Sequence, residues 1–72
     1  MTDEELNANF KLLINHYVKN SVEQSSLLAR VDSMAGEGDQ VKAMLVRLEP
    51  WMKDAASHEH AKLIKDIYFN FC

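Results

Sequence analysis

Apolar residues recur at steps of three and four along almost the whole chain, and the clearest breaks in the pattern are Gly36-Glu37-Gly38 and Pro50. Such spacing puts one apolar stripe on each helix. With two glycines and one proline in 72 residues there is little turn material. The chain is therefore expected to be all-α, a single domain whose helices fold back at the glycine pair.

The first stripe starts behind Thr2-Asp3-Glu4-Glu5. This is a capping box: the Thr2 hydroxyl can accept from the Glu5 N–H, and the Glu5 carboxylate can accept from the Thr2 N–H. Leu6, Phe10, Leu13 and Tyr17 follow, with Ile14 and Val18 at the edge, and the stripe resumes at Leu27, Leu28, Val31, Met34 and Ala35. Leu6 and Leu28 lie within about 40° of each other at 100° per residue. This agreement of phase predicts one long helix over about 3–35. Asn20, Ser21 and Gln24 stand where apolar residues would be expected, and are read as a polar layer in the seam of that helix. The competing reading breaks the helix there, with Ser21 capping a second one and Gln24 closing a box.

Gly36 suits the left-handed residue after a helix end, and Asp39 suits the next N-cap. Residues 36–38 are the turn. Val41, Met44, Leu45, Leu48 and Met52 form the second arm's stripe, which Pro50 interrupts. The stripe beyond it (His60, Leu63, Ile64, Ile67, Phe71) differs in phase by about 100°. The expectation is a helix over about 39–49 and another over about 50–71, so that the second arm is kinked or broken at Pro50. A fold-back centred near residue 37 makes the arms antiparallel. It sets Val31 beside Met44, Phe10 near Ile64, Leu6 near Tyr68, and the polar layer opposite Pro50–Asp54.

A lone hairpin of this size cannot hide all its apolar side chains. Ile67-Tyr68-Phe69-Asn70-Phe71 is apolar nearly all round, which normally means burial on several sides. A 72-residue chain also sits near the size at which a single core barely offsets chain entropy. Two hairpins pairing into a helical bundle would relieve both problems. The expected partner is a second copy, another protein, or both, and the expected contact residues are Trp51, Tyr68, Phe69, Phe71 and Met44.

The charge balance, 11 acidic against 8 basic residues, leaves no basic run and argues against nucleic acid and anionic membranes. No apolar run approaches the length of a membrane span, and the N-terminus is acidic rather than basic. A lone Cys72 makes no internal disulfide and fits a reducing compartment, so the expected setting is the cytoplasm.

No catalytic constellation, cofactor motif or metal set is expected. Gly36-Glu37-Gly38 is too short for a phosphate loop, and the serines read as capping or surface residues. His58 and His60, two apart on a helix, point about 200° from each other. His16 and His58, with Asp54 or Glu59, make a weaker set than the three or four ligands a metal site needs.

The leading expectation is a small non-enzymatic interaction protein that regulates, inhibits or escorts a larger one. One alternative is a nucleic-acid-associated dimer using Lys11, Lys19 and Arg30, or Arg47, Lys53, Lys62 and Lys65. The other is a metal- or pH-responsive switch through His16, His58 and His60.

Overall fold

The computed structural model describes residues 1–53 and 57–72. Four helices follow in order: α1 (Asp3–Tyr17), α2 (Ser21–Ser33), α3 (Gly38–Met52) and α4 (His58–Phe71), with no strand among the described residues. The all-helical class is as expected, and so is the start of α1. Glu5 N–H donates to Thr2 Oγ1 at 3.1 Å, and Thr2 N–H donates to Glu5 Oε1 at 3.2 Å.

The long first helix is not there. A helix over 3–35 would be about 50 Å long, and the molecule's longest dimension is 26 Å. The chain breaks at 18–20, where Val18 and Asn20 are extended. Asn20 is the N-cap of α2: its side-chain oxygen accepts from the N–H groups of Val22 at 3.0 Å and Glu23 at 3.1 Å. The Gln24 amide donates to the Val18 carbonyl at 3.3 Å. Asn20, Ser21 and Gln24 are thus the chemistry of a helix break, not a polar layer in a seam. Ser21 is the first helical residue rather than the cap. Asparagine competes well for this role because its carbonyl satisfies two donors that the helix start leaves free. The break lets α2 fold back against α1, and Val18 becomes fully buried within it. An exposed ion pair, Lys11 Nζ to Asp32 Oδ1 at 3.0 Å, spans the two helices and adds little.

The second arm also departs from expectation. The helix does not break at Pro50. It runs on to Met52, and α4 begins only at His58. Proline removes the hydrogen bond its N–H would donate to the carbonyl of Val46. Val46 and Pro50 both lie on the exposed side of α3, so the lost bond is not in the core. Asp39 is not the N-cap either. Glu37 takes that position without a side-chain bond, and Asp39 falls in the first turn. Gly36 is left-handed as expected (φ 70°), and Ala35 joins it (φ 51°).

The core is built mainly from Leu6, Phe10, Leu13, Ile14 and Val18, with Leu27, Val31 and Met34 of the second helical segment. Val41, Met44, Leu45, Leu48, Met52 and Ile67 close it from α3 and α4. In α2 the inward residues are Leu27 and Val31, and Leu28 is only half-buried.

The start of α3 lies against the end of α4. A Cβ placed on Gly38 would sit 2.7 Å from the Phe71 carbonyl oxygen. The two helices are therefore antiparallel and in close backbone approach at that end. Gly38→Ala is expected to destabilise the fold by about 1–3 kcal/mol despite alanine's better helix propensity, because a backbone carbonyl cannot swing away. A urea midpoint equal to or above the wild type's would contradict this approach.

Candidate functional site

Two features stand out from the packing: a ring cluster at one end of the bundle and an apolar groove along α3 and α4.

The ring cluster ties α1 to α4. Ser57 caps α4, its Oγ accepting from the His60 N–H at 3.2 Å. The Ser57 N–H donates to the Tyr17 hydroxyl at 3.3 Å, and that hydroxyl also hydrogen-bonds His60 Nδ1. The His16 ring packs edge-on against Tyr17 and His60, with centroids 4.7 and 5.1 Å away. So His16 meets His60, whereas the sequence pointed to His58. Asp54 lies outside the described residues, and among the described residues no three of His, Cys, Asp or Glu converge on a metal position. The cluster is a polar latch between helix ends. Tyr17→Phe removes the acceptor for the Ser57 N–H and the bond to His60, and is expected to cost about 1–2 kcal/mol. An unchanged urea midpoint would show that the latch carries no stability.

The groove has a different character. Its volume is about 530 Å³, and its floor is Leu45 and Met52 of α3 with Ala61, Ile64 and Tyr68 of α4. Glu49, Lys53 and Lys65 stand along its walls. A second hollow of about 360 Å³, lined by Gly38, Asp39, Lys42, Phe71 and Cys72, shares Tyr68 with it. Residues 61, 64, 65 and 68 are one helical stripe of α4, and 45, 49, 52 and 53 are one of α3. The groove is open because α4 offers little to the interior. Ile67 is fully buried, while Leu63, Ile64 and Phe71 only flank the core. Its lips are apolar too. Phe69 is 92% exposed, Val46 56% and Tyr68 41%. At 100° per residue Val46 lies about 60° beyond Glu49, and Phe69 about 40° beyond Lys65, both on the side away from the core.

The residues singled out in the sequence divide accordingly. Tyr68 lines the groove, Phe69 stands exposed beside it, and Phe71 lines the neighbouring hollow. Met44 does not: at 2% exposure it is core and has no surface to offer. Trp51 is half-buried against the core and, by helical angle, flanks it about 145° from the groove-lining stripe of α3. Leu45, Glu49, Met52, Ile64 and Lys65 were not anticipated as one surface. The stripe spacing held their signal, but only the antiparallel register of α3 and α4 brings them together.

A separate crevice of about 110 Å³ between α2 and α3 is lined by Arg30, Ser33, Gln40 and Arg47 with apolar neighbours. Of the basic residues, Arg30 and Arg47 line this crevice and Lys53 and Lys65 the groove, while Lys11 is paired with Asp32. No helix among the described residues is long and apolar enough to cross a membrane. Compared with protein-family models, with curated proteins and with solved structures, the chain matches none.

Proposed function

We propose that the protein is a small, non-enzymatic interaction module that regulates, inhibits or escorts a larger protein through its α3–α4 face. The observation that carries this reading is the groove and its surroundings: an open hollow with an apolar lining, beside which Phe69 is almost fully exposed. Contiguous apolar surface rimmed by charge is the usual mark of a protein contact. Aromatic side chains in such a patch contribute most of the binding energy. The lone thiol of Cys72 suits a cytoplasmic setting.

Phe69→Glu tests the reading. Phe69 is 92% exposed, so folding stability should change by no more than about 0.5 kcal/mol. Affinity capture from the native host is expected to recover proteins with the wild-type chain that the Phe69→Glu chain loses, at equal helical signal in circular dichroism. The same proteins recovered by both chains would contradict the proposed face.

A further inference from the structure

We infer that the crevice between α2 and α3 is a binding site for a phosphate group, held between Arg30 and Arg47. The site is separate from the α3–α4 groove: at 100° per residue Arg47 points about 160° from both Leu45 and Glu49. Arg30 and Ser33 lie one turn apart on α2, and Gln40, Ala43 and Arg47 follow one stripe of α3, so the two arginines line the crevice from opposite walls. Two arginines in one crevice need a reason in a chain with 11 acidic and 8 basic residues. On a helix, an arginine's nearest carboxylate partner stands three or four positions away. Around Arg30 those positions hold Ser26, Leu27, Ser33 and Met34, and around Arg47 they hold Ala43, Met44, Pro50 and Trp51, with no acid among them. Among the described residues, neither guanidinium forms an ion pair or a side-chain hydrogen bond.

The surroundings leave both charges to a ligand. Met34 and Met44, each 2% exposed, form an apolar floor. The Ser33 hydroxyl donates to the Arg30 carbonyl at 3.0 Å. The Gln40 amide donates to Glu37 Oε2 at 3.4 Å, so that carboxylate is engaged by the glutamine and not by an arginine. Arg30, in the last turn of α2, suits the negative end of that helix, but Arg47, mid-way along α3, has no such reason to be there. The crevice holds about 110 Å³, well below the roughly 300–1,000 Å³ of an ordinary small-molecule pocket, so it admits a group and not a large ligand. A carboxylate has two oxygens in one plane and is satisfied by a single guanidinium fork. A phosphate monoester presents three acceptor oxygens and close to two charges at neutral pH, and can accept from both walls at once.

The test is a titration with inorganic phosphate at constant ionic strength, followed through the arginine Nε–H signals in NMR. Saturable shifts of the Arg30 and Arg47 signals are expected, with a Kd on the order of 1 mM. Arg30→Gln and Arg47→Gln, read from the arginine that remains, are each expected to weaken binding about tenfold or more, since one fork of charge-assisted bonds is lost. Lys53→Gln, on the groove, should leave binding within about twofold of the wild type. All three positions are exposed, and circular dichroism checks that the variants fold. A blocked phosphoserine peptide separates the sources of the group. Tighter binding than inorganic phosphate supports the site as a reader of a phosphorylated side chain, and equal or weaker binding supports it as a site for free phosphate. No saturable shift with either probe up to about 20 mM would overturn the site. So would acetate binding as tightly as phosphate, or phosphate binding that survives either arginine substitution unchanged.

Discussion

Phe10→Ala is expected to remove much of the stability of the protein. Phe10 is the largest side chain with no exposed surface, and it sits mid-way along α1, the helix that touches all three others. Truncating a buried phenylalanine to alanine costs about 3–5 kcal/mol, from lost transfer energy and the cavity left behind. A chain of this length has a total of only about 4–11 kcal/mol to lose. Urea unfolding followed by circular dichroism should show a midpoint lowered by roughly half or more, or a curve with no folded baseline. A change below about 1 kcal/mol would mean that α1 is not the centre of the core.

Ile67→Ala comes next and should act more locally. Among the described residues Ile67 is the one side chain of α4 that is fully buried. Its truncation is expected to cost about 2–5 kcal/mol. Because α4 is otherwise anchored mainly by half-buried Leu63, Ile64 and Phe71 and by the latch at Tyr17, the helix should loosen before the rest. In native-state hydrogen exchange the α4 amides of the variant are expected to lose protection while those of α1 keep most of theirs. Uniform loss across all four helices would show that α4 is an inseparable part of one cooperative unit.

These two residues were legible in the sequence, since Phe10 and Ile67 both lie on the stripes that spacing alone reveals. The path of the backbone between the stripes was less so. The phase of the apolar pattern survives the break at 18–20, and phase was the argument for a continuous helix. What decided the matter was Asn20, whose carbonyl caps two donors at once. In a linear reading it was one polar residue in a seam. Pro50 misled in the other direction. Proline breaks a helix when its lost bond is buried, and at the exposed side of α3 it is tolerated.

The candidate site was half visible for a similar reason. Composition flagged the aromatic C-terminus, and Tyr68 and Phe69 are indeed at the surface. Met44 was drawn in as a soft binding residue but lies inside. Glu49 and Lys65, which both line the groove, are ordinary surface charges until the approach of Gly38 to Phe71 fixes how α3 and α4 lie together. Register between packed helices is a tertiary property, and no local pattern carries it.

The claim that the α3–α4 face is the protein's contact surface is open to direct measurement. A soluble paramagnetic gadolinium chelate broadens proton signals that reach solvent, and it can be added before and after a captured protein binds. Val46 and Phe69 should become shielded together on binding, while Leu12 and Val22, exposed on α1 and α2, remain accessible throughout. Shielding of Leu12 or Val22 with Val46 and Phe69 left open, or no change at any position, would contradict the account.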